Sequence, residues 1–495
     1  MAPRRWAKRS FQGAEDSQAA CKKEEAAAPS LRPSLSTEGA SVAVVGGGFA
    51  GLFCAERLAE LGFDVTLFRA RSRLSATQME HEHNTVYTRP GAAFFDYGCQ
   101  LITAGDPWFR GRMEAYEAQG LCHKPDVRVL SKSHGLQRFA EPPGWTGAHG
   151  MWQFQEQVAE EVIARCKIKL ITTATSWPPK VGTRFPDKPL LLDDYRYGPS
   201  GWVLGQKGQS FGPYHTLCGA FNSQTMLNTQ LKRPEVSKMR DYLKQIRFQT
   251  PIVAMVAFEW PLELDFTCAF VADDRCLGWV SNNNRKVAGG RFESRRELWT
   301  LIGTADYSYH LFEKFGTGGY KKIALRDFLD SFGKLVGRNL HECGPEAVRI
   351  MHWEAGVEAN TPPSDAGCLW DAEKCLGWCG PWATFASAEG AALSGRCLAE
   401  VVAAGGPAEG YPEGPWRDAA CRLRPGYVRL SQGFFYVPGA PNPLVSIDPP
   451  ATAGTEDHER FWNAMGGYWI DRDGYEKGSQ KGGKSKGKGK SWRQR

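Results

Sequence analysis

The segment from residue 41 to residue 68 constrains the fold of this chain more than any other part of the sequence. It opens with the apolar run SVAVVG and passes through a glycine-rich turn into GLFCAERLAELG, whose apolar residues recur at helical spacing. Gly62 follows as a helix-ending residue, and the run DVTLF has the composition of a second strand. A strand, a tight turn, a helix and a strand within 28 residues predict a βαβ unit.

The turn inside this unit fits the pattern G-x-G-x-x-G, which binds the pyrophosphate of a dinucleotide. Gly46 permits the tight turn, Gly48 lets the backbone approach the phosphates, and Gly51 lets the helix pack close to the strand. The helix then begins with Phe49 and Ala50, whose N–H groups carry the positive end of its dipole. These five residues predict a dinucleotide site, and the alternative is a turn that serves packing alone.

Arg69 stands where an acid that binds the ribose hydroxyls would end the second strand of such a unit. Arginine cannot accept a hydrogen bond, so it cannot replace that carboxylate. It suits the 2′-phosphate of NADP, and it equally suits a degraded site. The sequence leaves both interpretations open.

Later segments predict further elements of both kinds. Residues 152–165 have helical periodicity, residues 168–174 have the composition of a strand, and the apolar run 251–260 alternates as strands do. The stretch 368–406 has the pattern of a strand, a turn and a helix. A second cofactor-facing helix end is therefore expected near the end of the ordered region.

Several segments that follow one another in a fixed order carry a family resemblance. They are Phe95–Gln100, Thr103–Phe109, Gly150–Met151, Met255–Glu259, Tyr307–Leu311, Cys379–Trp382 and Glu389–Gly395. From about residue 41 to residue 404 the chain resembles the renalase-like branch of the FAD-dependent amine oxidase superfamily.

The resemblance implies the α/β fold of a two-domain flavoprotein oxidoreductase. A Rossmann-type FAD/NAD(P)-binding domain, residues 41–110 and 361–405, would be interleaved with a mixed-sheet α+β substrate domain. The substrate domain would comprise residues 111–360, with returns of the chain to the cofactor domain. The FAD would extend across the first domain.

The resemblance also implies a second set of cofactor-binding residues near the helix that follows residue 386. These candidates are Gly380, Glu389, Gly390 and Ala391, because a small-residue turn and a helix start can face a phosphate or a ring. Gln100 would face the flavin. The alternatives are a first-turn acid that favours the helix dipole at Glu389 and an ordinary loop residue at Gln100.

The implied reaction is the transfer of a hydride from a reduced small molecule to FAD and then to O2. Gln100, His352 and Trp353 are the catalytic candidates, although His352-Trp353-Glu354-Ala355 stands in place of the family segment R-W-x-Y. The sequence contains no H-E-x-x-H segment or nucleophile–base set, and no pair of cysteines partners Cys375 and Cys379 at zinc-ligand spacing. No metal site is expected.

Two further departures from the family pattern weaken the implied FAD site. Ser75-Ala76-Thr77 replaces G-G-R, and Pro381 replaces an acid that would contact the flavin side chain. Each lost polar contact corresponds to about 0.5–1.5 kcal/mol. FAD is the expected cofactor, with NADP as the alternative cofactor or as a substrate. The alternative function is a catalytically degenerate scaffold of the same fold.

The first and last segments of the chain have the composition of disordered segments. Residues 1–40 are an expected disordered arm and residues 477–495 an expected disordered Gly/Lys tail, and a Pro-, Gly- and aromatic-rich extension, residues 406–476, precedes the tail. The tail holds eight Lys or Arg and no acid, so removing it from the net charge of +7 leaves −1. Weak polyanion binding is therefore expected of the stretch Lys477–Arg495 alone.

The sequence also bears on the compartment. No run approaches the roughly 18 apolar residues of a membrane span, and the scattered cysteines favour reduced thiols. A soluble, cytoplasmic protein is expected. Import into a plastid or mitochondrion through the Arg-rich N-terminus is the alternative.

Overall fold

The computed structural model describes residues 39–72, 80–82, 85–88, 93–132, 135–139, 144–175, 192, 194–206, 208–220, 239–240, 243, 248–249, 251–272, 274–287, 296–352, 357–358, 367–384, 387–406, 427–430, 433–436 and 444–446. The predicted basic tail and residues 1–38 of the predicted arm lie outside these residues.

The α helices are α1 (Phe49–Glu60), α2 (Pro107–Ala118), α3 (Met151–Cys166), α4 (Ala305–Val336) and α5 (Ala388–Ala403), and short 3-10 helices span Leu340–Cys343 and Pro381–Ala383. The strands are β1 (Ser41–Val45), β2 (Asp64–Ser72), β3 (Glu80–Glu82), β4 (Thr85–Thr88), β5 (Ala93–Asp96), β6 (Cys122–His123), β7 (Val127–Ser131), β8 (Gly135–Phe139), β9 (Thr146–Gly147), β10 (Lys169–Thr175), β11 (Asp194–Gly198), β12 (Gly201–Gln206), β13 (Gln209–Tyr214), β14 (Thr216–Gly219), β15 (Phe248–Gln249), β16 (Ile252–Phe258), β17 (Cys268–Val271), β18 (Leu277–Asn282), β19 (Glu297–Gly303), β20 (Pro345–His352), β21 (Val357–Glu358), β22 (Leu369–Asp371), β23 (Leu376–Trp378), β24 (Tyr427–Leu430), β25 (Gly433–Tyr436) and β26 (Leu444–Ser446).

The first sheet has six strands in the order β10-β2-β1-β14-β23-β22. Its first five strands run parallel to their neighbours, and β22 pairs antiparallel with β23 at the edge. Val42 and Val44 of β1 pack against the helices on one face, whereas Ala43 and Val45 pack on the other face against β12 and its neighbours. A strand covered on both faces has a continuous apolar sequence, as β1 does. The predicted βαβ entry and the α/β fold class are confirmed.

Helices α1 and α5 lie side by side on one face of this sheet and run in the same direction. Gly395 of α5 lies against the carbonyl oxygen of Ala50, and an added Cβ would be 2.0 Å from that oxygen. Further along both helices, the Nε of Arg57 lies 2.6 Å from Oε1 of Glu400. The two helices therefore begin at the same end of the sheet, beside the carboxyl end of β1.

The second sheet has eight strands in the order β20-β16-β19-β18-β17-β7-β8-β26, and its pairs are antiparallel except for β17 with β7. One face packs on α4, with Trp299 of β19 against Phe332 of that helix. The opposite face carries Met255 and Ile302, which pack with Phe95 and Tyr97 from β5 and the loop after it. We call this second surface, with its residues from β16, β18, β19 and β20, the inner face.

Helix α4 begins where the Thr304 side chain accepts a hydrogen bond from the N–H of Tyr307 (3.3 Å), and it ends at Gly337. It is interrupted at Gly316, whose φ of 65° breaks the helical backbone. In the part of the chain that the structure describes, no helix is both long and apolar enough to cross a membrane.

Candidate functional site

The glycine turn between β1 and α1 leaves open space at one of its three motif positions. An added Cβ at Gly46 would lie 2.2 Å from the carbonyl oxygen of Ala220, and one at Gly51 would lie 2.0 Å from the carbonyl oxygen of Gly46, so both glycines are required for packing. An added Cβ at Gly48 would meet nothing within 4 Å. Gly48 is also the N-cap of α1, where no side chain caps the helix and the first turn holds no acid. The N–H groups at this helix start therefore face an open, uncapped cradle.

Arg69 folds back over this turn instead of pointing to solvent. Its residue is 8% exposed, and its Cγ would lie 2.2 Å from a Cβ added to Gly47. The guanidinium forms an ion pair with Glu156 of α3 and lies 5.8 Å from the centroid of the Trp152 ring. Arg69 thus stands where the sequence places it, at the end of the β1–β2 pairing, but its charge is paired inside the protein.

Helix α3 supplies two polar side chains to the turn. Gln155 donates a hydrogen bond from Nε2 to the carbonyl oxygen of Gly47 (3.0 Å), and Glu156 pairs with Arg69. Glu156 lies 87 residues beyond Arg69 along the chain. Sequence reasoning missed both residues, because no local pattern indicates which side chains of α3 meet the glycine turn.

The start of α5 is held by its own cap and by one buried carboxylate. Ser387 accepts a hydrogen bond from the N–H of Gly390 (2.9 Å) through its side chain and one from the N–H of Ala391 (3.0 Å) through its carbonyl. Glu389 is 1% exposed, and its Oε1 accepts hydrogen bonds from the N–H groups of Gly105 (2.7 Å) and Asp106 (2.5 Å). Burial raises the pKa of Glu389 to about 7, although these two hydrogen bonds oppose the shift.

The turn that precedes α5 packs against the same helix. Gly380 donates its N–H to the Oγ of Ser394 (3.0 Å), and Pro381 opens the short 3-10 helix in which Trp382 is buried. Gly380, Glu389, Gly390 and Ala391 therefore lie together at the end of the sheet where α1 also begins. The departure at Ser75-Ala76-Thr77 lies outside the described residues.

A fully buried ion pair joins Asp96, at the end of β5, to Lys286, in the segment after β18. Lys286 and Asp96 each have no exposed surface, and Lys286 Nζ lies 3.3 Å from Asp96 Oδ2. The other carboxylate oxygen, Oδ1, accepts a hydrogen bond from the N–H of Met151 at the start of α3 (3.0 Å). The carbonyl of Asp96 accepts one from Oγ1 of Thr300 on the inner face (3.0 Å). Sequence reasoning missed Lys286, because lysine is almost never fully buried.

Gln100 belongs to the same buried network, and the network engages both ends of its amide. Its Nε2 donates to the carbonyls of Asp96 (2.7 Å) and Gly98 (3.2 Å). Its Oε1 accepts from Lys286 Nζ (2.9 Å) and from Ser281 Oγ (3.0 Å). No amide donor of Gln100 is left over for a ligand, so its contribution is to hold the loop after β5 in place.

His352 lies away from this network. Its ring stacks on Phe312 of α4, with centroids 3.9 Å apart and planes 10° from parallel, and Tyr320 of the same helix packs edge-on at 6.4 Å. It therefore occupies the α4 face of the second sheet, opposite the inner face that carries Thr300. The sequence names His352 as a catalytic candidate near the substrate face, and that role stays a prediction. Trp353 lies outside the described residues.

Comparisons with known proteins identify the first part of this fold. A family model for the NAD(P)-binding Rossmann-like domain matches residues 44–114. No curated protein matches the chain.

The solved structures that resemble part of this chain include proteins whose names are those of oxidoreductases. An oxidoreductase from Methanosarcina mazei is 10% identical, with 73% of this chain and 100% of that one covered and a TM-score of 0.47. Cyclohexylamine oxidase from Brevibacterium oxydans is 13% identical, with 74% and 99% covered and a TM-score of 0.47. A putative protoporphyrinogen oxidase from Exiguobacterium sp. is 12% identical, with 74% and 98% covered and a TM-score of 0.44. At these scores the likeness says nothing of what the present chain binds.

Proposed function

We propose that this chain binds FAD at the glycine turn and acts as an oxidoreductase that passes a hydride from a reduced small molecule to the flavin, and from there to O2. The observation that carries the proposal is the cradle at Gly48. Other atoms of the protein occupy the space beside Gly46 and Gly51, whereas Gly48 faces open space. Gly48 also lies at an uncapped helix start without an acid in its first turn. A pyrophosphate is the group that such a helix end binds.

The ion pair at the turn supports FAD over NADP. An arginine that reads a 2′-phosphate must offer its charge to that phosphate. The guanidinium of Arg69 is instead neutralised by Glu156 and largely buried. FAD carries no 2′-phosphate on its adenosine and needs no free cation at this place.

The chain's own residues would hold and orient the cofactor rather than carry out the redox step. The N–H groups of Phe49 and Ala50 would bind the phosphates, and α5 would place its start at the same end of the sheet. Asp96, Lys286 and Gln100 form a buried network that fixes the loop after β5. FAD, when bound, supplies the hydride acceptor. We therefore place Gln100 as a positioning residue and leave His352 out of the proposed site.

Substitution of Gly48 by valine tests the proposal. The open space at Gly48 and its φ of −77° accept a side chain, so the fold should survive at a cost of about 1 kcal/mol from the poorer N-cap. A valine there would fill the place of the phosphates, and FAD affinity should fall roughly a hundredfold or more, as expected for two lost charge-assisted hydrogen bonds.

The matched control is Gly111→Ala, at a position of α2 where an added Cβ also meets nothing within 4 Å. Titration of FAD into both variants, with a thermal melt of each, separates loss of binding from loss of folding. Unchanged FAD affinity in a folded Gly48→Val protein would show that the turn serves packing alone.

A further inference from the structure

Arg349 of β20 lies on the inner face of the second sheet. Its cross-strand partner is Met255 of β16, and paired residues of neighbouring strands share a face. Met255 belongs to the cluster that contains Tyr97, and both Val348 and Met351 pack against that cluster. The side chain of Arg349 is therefore directed toward the loop after β5, the loop that Asp96, Lys286 and Gln100 hold in place.

A bulge interrupts the sheet at this point. Met255 pairs with Arg349, but the next residue of β16, Val256, pairs with Ala347, so Val348 is the extra residue of β20. Bulges concentrate next to binding sites because they change the direction of the strand and of its side chains. Here the bulge lies on β20, which is an edge strand of this sheet among the described strands.

The guanidinium of Arg349 is half-buried, yet none of the hydrogen bonds or ion pairs within the described part of the chain involves it. Burial lowers the pKa of Arg349, and nearby Tyr97 opposes that shift. A buried or half-buried cation without a partner costs free energy, and proteins usually pair such groups. A partner from outside the chain would remove that cost.

The surroundings limit what the partner can be. Tyr97, Met255 and Met351 are apolar or aromatic neighbours, and Arg349 adds one guanidinium beside them from β20. A planar fork of N–H donors matches a carboxylate in two parallel hydrogen bonds. A phosphate dianion carries two negative charges, whereas one guanidinium supplies a single positive charge.

We infer that Arg349 binds the carboxylate of a small organic acid whose apolar part lies against Tyr97, Met255 and Met351. The inference rests on the proposed oxidoreductase function, because it names the class of molecule that would meet the flavin from the second sheet. The substrate class is thus a carboxylate-bearing donor, and Arg349 determines that specificity by charge.

Calorimetric titration of the purified full-length protein tests the site with matched probes. Benzoate and acetate carry the carboxylate, and benzamide and acetamide are their uncharged counterparts of the same shape. The wild-type protein should bind at least one carboxylate more tightly than its amide. Arg349→Gln should weaken carboxylate binding roughly ten- to a hundredfold, the range for a lost charge-assisted hydrogen bond, while leaving the amides unchanged. The carboxylate affinity of Arg349→Lys should lie between that of the wild type and that of Arg349→Gln.

Arg275 offers a matched control, because it is an exposed arginine in the loop before β18. Arg275→Gln should leave every probe unchanged. A thermal melt adds a second readout: removal of an unpartnered half-buried cation should not lower the melting temperature of Arg349→Gln, whereas loss of a structural ion pair would. Carboxylate affinity equal to amide affinity, tighter binding of inorganic phosphate, or unaltered affinity in Arg349→Gln would each overturn the inference.

The flavin content of the same preparations separates this inference from the proposed function. If the protein binds carboxylates through Arg349 but binds no FAD, the carboxylate site stands and the proposed oxidoreductase function is wrong. If the protein contains flavin but shows no carboxylate binding through Arg349, the cofactor proposal stands and the carboxylate site is wrong.

Discussion

Exchange of the charges of Arg69 and Glu156 at the glycine turn separates the structural role of Arg69 from its role in cofactor binding. Sequence alone predicts that Arg69→Glu improves FAD binding, because an acid would return to the ribose. The structure changes that expectation, since Glu156 already lies against position 69. The single substitution would set two carboxylates side by side. The double variant Arg69→Glu/Glu156→Arg would restore a pair with its charges reversed.

The magnitudes follow from the burial of the pair. The two side chains are 10% and 14% exposed. Removal of one partner of a buried pair costs about 3–5 kcal/mol, and the remaining exposure favours the lower end of that range. Arg69→Glu should therefore lower the melting temperature by several degrees, at roughly 2–4 °C per kcal/mol for a unit of 150–250 residues. The double variant should recover most of that loss.

The double variant should also bind FAD more tightly than the wild type. A charge-assisted hydrogen bond to the ribose contributes about 1.5–3 kcal/mol, which is roughly ten- to a hundredfold in affinity. Titration of FAD and NADP into wild type, single and double variants, with thermal melts of each, checks both effects. Equal stability of the single and double variants would refute the pairing with Glu156. Collapse of NADP binding with no gain for FAD would show that Arg69 reads a 2′-phosphate.

Three other predictions concern the buried network, the carboxylate of α5 and the tail. Lys286→Met should lower the free energy of unfolding in urea by about 3–5 kcal/mol, because it leaves Asp96 buried without its cation, and adding Asp96→Asn should recover part of it. The folded-state pKa of Glu389 is raised to about 7, so the folded protein binds this proton more tightly than the unfolded chain does. The contribution of Glu389 to the free energy of unfolding is therefore largest at acid pH and is lost as the pH rises through about 7. Glu389→Gln should remove that slope from unfolding curves between about pH 4.5 and 7, and an unchanged slope would assign it to another group. A chain that ends at Glu476 should lose the salt-sensitive binding of heparin that residues 477–495 are predicted to provide, and equal binding by both forms would disprove it.

The parts of the fold that sequence predicts well are those with local causes. The β1–α1–β2 unit follows from a glycine pattern between two apolar strands, and α3, expected over residues 152–165, spans Met151–Cys166. The run 251–260 was expected to alternate, but every residue of β16 is buried, because α4 covers one face and the inner-face cluster covers the other. Periodicity cannot show that the second face is also covered.

The site residues that sequence misses are those with distant partners. Glu156 reaches the turn only because α3 crosses it, and Lys286 meets Asp96 across 190 residues of chain. The face of the sheet that His352 occupies depends on how β20 pairs with β16, and its own segment does not show that pairing. Register and helix placement are tertiary facts, and a motif does not contain them.

Equilibrium dialysis of FAD against the purified full-length protein tests the central proposal most directly. The cradle at Gly48 and the uncapped start of α1 predict saturable binding, with one FAD per chain at free concentrations on the order of 10 µM, about −7 kcal/mol. The Gly48→Val protein should bind little FAD at the same free concentration. A wild-type protein that binds no FAD at this concentration would contradict the proposed function.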